Sequence, residues 1–259
     1  MFNPTVCAVM FALGVPMGFM GFAGASLVSG LLIVLFKVPV HLAFGTALGS
    51  VFATIVIGGW SHFREGNVDP LAAAQIGIAG VLGAYGGGSL ALATSAAQLK
   101  SITGVLLILN SIVVYLRMRA TRRETAEEGC ISRPCGFWHQ LPGNASIGLF
   151  CGLMSGFLGI GAIPLVQAGL LMLKRLDLNR IIGTAMFAMT LTSLSGAVRF
   201  AQGGQIDGGL LASVVLGMAT GSYLGAKLTR RAPRWLVKSG LVITPLVAGW
   251  LMIVAPVTE

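Results

Sequence analysis

Charge is what this sequence has least of. Only 10% of its 259 residues are Asp, Glu, Lys or Arg, while 55% are hydrophobic. Soluble domains carry about 25% charged residues, and the mean hydropathy of +0.87 points the same way. A water-facing globule is excluded, and a bilayer is the solvent that removes the difficulty. Acid is scarcer still: there are eight Asp and Glu in all, and none lies inside an apolar stretch, since Asp69, Asp177 and Asp207 sit at ends or turns. The intramembrane carboxylate that proton relays commonly use is therefore missing. Also absent are a GxxxxGK[ST] nucleotide loop, a Ser/His/Asp set and an HExxH pair, which removes ATP as the drive and leaves an enzyme without catalytic chemistry. No basic leader region or A-x-A site opens the chain, so no cleavable signal peptide is expected.

Cysteine is sparse too. Cys7 and Cys151 lie in apolar stretches and read as inert thiols. Cys130, Cys135 and His139 form a loose C-x4-C-x3-H that matches no zinc spacing, and they read as loop residues on the reducing side of the membrane. No metal and no cofactor is expected. The net charge of +9 does not imply nucleic acid. The basic residues cluster between apolar stretches, as cytoplasmic membrane loops do. The expected partners are the lipid bilayer and a small anionic substrate, and a homodimer is compatible with such a chain.

What the sequence does contain is apolar stretches near 5–36, 40–61, 70–93, 99–117, 146–173, 181–201, 208–226 and 235–254. Most approach the roughly 20 residues a helix needs to span hydrocarbon, and barrel strands would alternate and be about half as long. The chain divides into a membrane repeat at 1–118, a polar cytoplasmic linker at 119–143 and a second repeat at 144–259. Shifting the sequence by 138 residues aligns the halves without a gap. Gly14, Gly18, Phe19 and Gly21 fall on Gly152, Gly156, Phe157 and Gly159. Gly45 and Thr46 fall on Gly183 and Thr184, Gly66 and Asp69 on Gly204 and Asp207, and Tyr85 on Tyr223. Duplicated membrane halves are a transporter signature, with the substrate site at their interface near mid-bilayer.

The first stretch of each half is long for one span and short for two. Each is broken by glycines, GVPMGFMGFAGA from Gly14 and GLMSGFLGIGAIP from Gly152. Interior glycine costs a helix about 1 kcal/mol relative to alanine, so each stretch reads as a re-entrant pair of half-helices. With both re-entrant, fourteen of the 17 Lys and Arg fall on the cytoplasmic side and three, Lys37, Lys100 and Arg199, on the other. Letting every stretch cross breaks the positive-inside rule. The fold class is thus all-α integral membrane. It has two homologous halves, favoured as inverted repeats, each with a glycine-broken first segment plus three transmembrane helices.

A broken helix offers free backbone N–H groups and a dipole that favour an anion. Gly18, Phe19, Gly21 and Gly24 in the first half, with Gly156, Phe157, Gly159 and Gly161 in the second, are accordingly candidate substrate residues. Close helix packing of the GxxxG kind explains the same glycines as well.

GFMGFAGA and GFLGIGAIP, AFGTAL and IIGTAM, and EGNVD and GGQID resemble the paired motifs of the TauE/SafE family of sulfite and organosulfonate exporters. The resemblance covers nearly the whole chain and departs from the usual triple glycine at Ala23 and Ala162. It implies a multi-pass protein of the bacterial inner membrane that exports a small anion, sulfite or an organosulfonate, by secondary transport. The alternatives are a membrane scaffold or assembly protein and an intramembrane redox subunit. Gly45, Thr46, Gly183 and Thr184 in the A-x-G-T motifs join the candidate site, and Thr54 and Thr192 could add hydroxyls. Threonine bonding back to its own helix accounts for these equally. Arg199 follows an apolar span and has Ser61 as its repeat mate. It reads either as a guanidinium on the anion pathway or as a snorkelling end residue. His41 and His62 read as interfacial. Lacking an intramembrane carboxylate, the chain is expected to export its anion without an obligatory proton or sodium partner.

Overall fold

The computed structural model describes residues 3–20, 25–120, 137–159, 161–173, 178–229, 243 and 246–254, and every regular element among them is a helix. These are α1 (Pro4–Met20), α2 (Ala25–Phe36), α3 (Val40–Arg64), α4 (Pro70–Ala93), α5 (Ala96–Ala120), α6 (Phe137–Leu158), α7 (Ile163–Leu173), α8 (Leu178–Gln202) and α9 (Gly208–Thr229), with a last helical stretch at 246–254. Helix is the answer hydrocarbon demands, because each backbone donor finds its acceptor within its own segment. Pro70–Ala93, Leu141–Leu158 and Arg180–Gln202 are long and apolar enough to cross a membrane. Their outward faces carry large apolar side chains, with Leu82 69% and Phe150 60% exposed. Such a surface fits lipid rather than water. Inside, Phe44, Leu48, Phe157 and Phe200 belong to one buried cluster.

Helix outruns the apolar stretches at the centre of the chain. α5 continues to Ala120 and α6 begins at Phe137, both inside the segment read as linker. Polar residues stop a span, not a helix, once the chain has left hydrocarbon. Cys130 and Cys135 lie outside the described residues, and His139 falls within α6.

The contacts of small residues fix the helix directions. Leu48, Gly59 and His62 of α3 meet Gly196, Phe187 and Gly183 of α8, so these two run antiparallel. Gly77, Gly80 and Gly88 of α4 meet Ala188, Thr192 and Arg199, so α4 and α8 run together. α6 runs with α4, since Gly148, Gly152 and Gly156 meet Ile76, Gly80 and Ala84. α9 runs with α1, through Gly217 on Met10 and Gly221 on Gly14, and with α3, through Ile206 on Gly45 and Leu211 on Gly49. α7 folds back along α6, with Gly169 against Ile147. Thus α4, α6 and α8 point one way, and α1, α3 and α9 point the other.

The G-x-[IV]-D turns are built twice, to the same plan. Gly66 (φ 73°) and Gly204 (φ 70°) adopt the left-handed conformation that glycine permits. In the first turn Gly66 N–H donates to Phe63 O and Asn67 N–H to His62 O. In the second Gly204 N–H donates to Ala201 O and Gln205 N–H to Phe200 O. This 5→2 and 6→1 pair closes each helix as a Schellman motif. The aspartate then opens the next helix. Asp69 Oδ1 accepts from Ala72 N–H at 3.1 Å, and Asp207 Oδ1 accepts from Gly209 N–H at 2.7 Å and Leu210 N–H at 3.3 Å, both as N-caps.

Candidate functional site at the helix break

The second glycine-rich segment is interrupted where its sequence suggests. α6 ends at Leu158, and Gly159 takes φ 63°. A Cβ on Gly159 would lie 2.5 Å from Cβ and Cγ of Phe44, so both conformation and space require glycine here. α7 restarts after Ala162, whose carbonyl accepts from Leu165 N–H at 3.0 Å and Val166 N–H at 3.1 Å. The first N–H groups of a helix have no acceptor within it, and Pro164 removes one donor from this set. The restart lies among buried Val51, Ile55, Ala162, Ile163 and Val166, with a Cβ on Gly161 3.2 Å from Val51. Dipole and donors are thus set inside the protein rather than at its surface.

Two buried hydroxyls, on α6 and α3, lack a partner, and only Ser155 is next to the break in the chain. Ser155 Oγ, one turn before Gly159, and Thr46 Oγ1, on α3 between Phe44 and Val51, are buried without a hydrogen-bond partner. An unmet buried hydroxyl costs about 1–3 kcal/mol. Thr46 was legible in the sequence as part of a motif. Ser155 was not, because its repeat mate is Met17 and no pattern marks it.

Other candidate residues do different work. Gly156 lets α6 touch the backbone of α4 at Ala84, and Phe157 is core. Gly183 receives the carbonyl of Asn67, and Gly45 the carbonyl of Gln205. Each A-x-G-T glycine therefore admits the turn of the opposite half. Thr184 Oγ1 accepts from Asp69 N–H at 2.9 Å, which secures that turn. Thr54 and Thr192 bond back to their own helices, to Ser50 O and Val51 O and to Ala188 O. His41 Nε2 donates to Ala91 O and Thr94 O, closing the end of α4, while His62 Nδ1 is buried without a partner. Arg199 Nε–H donates to Ser89 Oγ at 2.7 Å. Gly18 and Phe19 lie in the last turns of α1, with their side chains outside the described residues, as Gly21 and Gly24 are altogether.

Comparison with known proteins agrees with this architecture. The family model described as "Sulfite exporter TauE/SafE" matches residues 6–252. The chain is 31% identical over 249 residues to "Probable membrane transporter protein YdhB" of Bacillus subtilis (strain 168), covering 96% of this chain and 99% of that one. It is 26% identical over 219 residues to a "Probable membrane transporter protein" of Xylella fastidiosa (strain 9a5c), covering 84% and 81%. No solved structure matches the chain significantly. With apolar helices, lipid-suited faces and a family match over nearly its whole length, the chain belongs to the sulfite exporter TauE/SafE family and is a multi-pass transporter of the cell membrane, not an enzyme.

Proposed function

We propose that this chain is a secondary transporter that exports a small oxyanion, sulfite or an organosulfonate, through a site between two glycine-broken helices. The observation that carries the reading is the buried start of α7, with the Ser155 hydroxyl one turn before the break and the Thr46 hydroxyl on α3 both buried without a hydrogen-bond partner. A helix N-terminus favours negative charge, and oxyanion oxygens would accept from both hydroxyls. In this reading the glycine-rich segment with Gly18, Phe19, Gly21 and Gly24, which aligns in sequence with Gly156, Phe157, Gly159 and the residue after Gly161, would supply the facing half. Gly45, Gly183 and Thr184 support the site by holding the turns of the opposite halves. The membrane potential is worth about 2.3 kcal/mol per charge per 100 mV, so it can drive anion efflux without a coupling ion.

In this reading the halves, 1–118 and 144–259 about the 119–143 linker, are inverted repeats. Supporting it, the mates α1 and α6, α3 and α8, and α4 and α9 point in opposite directions. Arg64, Arg180 and the C-terminal ends of α5 and α9 gather at one end of the bundle, and Lys37, Lys100 and Arg199 stand toward the other. The first end is then cytoplasmic.

Close packing already accounts for Gly152 and Gly156, which meet the α4 backbone, so the test uses residues that packing does not claim. Thermal stabilisation of the purified chain by sulfite, methanesulfonate or acetate reports binding, because a ligand of the folded state stabilises it by RT ln(1 + [L]/Kd). Ser155→Ala and Thr46→Val each remove an unmet buried hydroxyl, so they should hold or raise the ligand-free melting temperature while weakening oxyanion stabilisation by about tenfold in Kd. Wild-type affinity in both variants would place the site elsewhere.

A further inference from the structure

We infer that Arg199, Tyr85 and Ser89 form a second oxyanion station, at the end of the bundle away from the basic cluster. The station presupposes the oxyanion traffic proposed above, but not the hairpin site.

The geometry begins with a glycine. A Cβ on Gly88 of α4 would lie 3.2 Å from Cγ of Arg199 on α8, so the absent side chain lets the arginine stem pass through the helix crossing. The guanidinium is then held on two sides. Its Nε–H donates to Ser89 Oγ at 2.7 Å, and Ser89 in turn donates its own proton to Tyr85 O at 2.9 Å. The hydroxyl therefore meets Arg199 with a lone pair. The guanidinium carbon stands 5.6 Å from the centre of the Tyr85 ring, within cation–π range. That ring is held by its own hydroxyl, which donates to Gln202 Oε1 at 3.0 Å. A side chain that merely snorkels needs neither of these anchors.

With Nε and one face occupied, the two terminal NH2 groups remain. Among the described residues no carboxylate lies within ion-pair distance of Arg199. Asp207, the acidic residue after α8, holds its carboxylate on the N–H groups of Gly209 and Leu210. A planar pair of NH2 groups matches two oxygens of one ligand, which a point charge does not. The class this selects is the oxyanion with at least two free oxygens on one centre: a sulfonate, hydrogen sulfite or a carboxylate, over chloride. The station occurs once. Its repeat equivalents are Ser61, Tyr223 and Lys227, so the two mouths of the bundle differ in sequence.

Phenylglyoxal labelling of the full chain in membrane vesicles, resolved by residue with mass spectrometry, tests this at Arg199 itself. Methanesulfonate at ten times its Kd should slow labelling of Arg199 about tenfold. It should leave the exposed Arg64 and Arg180 unchanged, and chloride at equal ionic strength should protect little. Ser89→Ala keeps the charge but frees Nε, and should weaken protection about tenfold in apparent Kd. Labelling of Arg199 at the same rate with and without methanesulfonate overturns the station, as does equal protection by chloride. If Ser155→Ala abolishes thermal stabilisation while Arg199 is unprotected, the hairpin reading stands and the station falls. If Arg199 is protected while Ser155→Ala and Thr46→Val bind normally, the station stands and the hairpin reading falls.

Discussion

Two helix crossings in this protein are related by the 138-residue offset in the sequence, and they are not alike. In α4 on α6, Gly83 and Gly87 meet the backbone of Leu149 and Leu153, and Gly148, Gly152 and Gly156 meet that of Ile76, Gly80 and Ala84, so backbone rests on backbone. In α1 on α9 the equivalent of Gly80 is Met218, and a Cβ on Gly14 would stand 2.9 Å from Met218 O and 3.0 Å from Gly221 Cα. A Cβ on Gly152 would instead sit inside the carbonyl of Gly80. The first crossing also holds a buried bond, Asn144 Nδ2 donating to Gln75 Oε1 at 2.7 Å. The second has Val6 and Ser213 at those positions; Ser213 donates to Gly209 O of its own helix, and its Oγ accepts from Asn3 N–H, just before α1, at 2.9 Å. Between helices in lipid, apolar burial gives no net drive, and close packing with interhelical hydrogen bonds supplies the attraction. Each copy has both devices, but only the first buries a side-chain amide pair between its helices.

The largest expected effect contrasts the two packing glycines. Gly152→Ala should lower the melting temperature of the detergent-solubilised chain sharply, by about 3 kcal/mol or more, because the obstructing atom is backbone and cannot rotate aside. Gly14→Ala should cost less, since a shift of a few tenths of an ångström relieves its contacts and alanine returns about 1 kcal/mol of helix propensity. Equal losses would mean the crossings are mechanically equivalent. A second, smaller contrast concerns the buried amides. Asn144→Leu should cost about 1 kcal/mol by leaving Gln75 Oε1 without this donor, and Asn144→Leu with Gln75→Leu should recover most of it. A double variant as weak as the sum of its singles would show that the bond contributes nothing.

Much of this fold was legible in the sequence, because the physics that selects it is local. Apolar length gave the helices, the 138-residue offset gave the doubling, and glycine followed by aspartate marked the two capped turns. The break at Gly159 was legible for the same reason. What sequence could not supply was the partner of each small residue. Gly183 and Thr184 looked like ligand contacts, yet they receive a turn 115 or more positions away in the chain. No periodicity within one segment carries that information. Ser89, Tyr85 and Ser155 carried no signal, since a lone hydroxyl in a membrane helix usually bonds to its own backbone. The linker boundaries slipped because hydropathy tracks the bilayer and not the hydrogen-bonded helix.

The two threonines of the A-x-G-T motifs sharpen the comparison further. Thr184 accepts a hydrogen bond from the opposite half, while its mate Thr46 has a buried hydroxyl without a partner. Thr184→Val should therefore cost about 1 kcal/mol, the ordinary net value of such a bond, with the loss read as a lower melting temperature. Thr46→Val in the absence of anion removes an unmet buried hydroxyl and should hold or raise the melting temperature rather than lower it. A clear loss in Thr46→Val without anion would reveal a partner for its hydroxyl and remove the asymmetry.

The smallest effect separates the capping aspartates. The N–H groups of Gly209 and Leu210 bond to the Asp207 carboxylate and hold its pKa below the ordinary 3.8. A carboxylate whose folded pKa is depressed contributes stability that is fully present above its unfolded pKa and is lost as pH falls through the folded one. Wild type should therefore exceed Asp207→Asn slightly at neutral pH, and the gap should close only below about pH 4, the ordinary carboxylate range. The difference stays small because Asp207 is exposed and asparagine is itself a good N-cap. Asp69 differs in that its own N–H is held by Thr184 across the halves. Asp69→Asn should consequently keep the turn docked, whereas Asp69→Pro removes both that donor and the cap on Ala72 N–H and should lower the melting temperature more than Thr184→Val. Melting curves of the three Asp variants from pH 3 to pH 7 decide it. A gap between wild type and Asp207→Asn that widens toward acid would mean the carboxylate is held in its protonated form, contrary to the capping geometry.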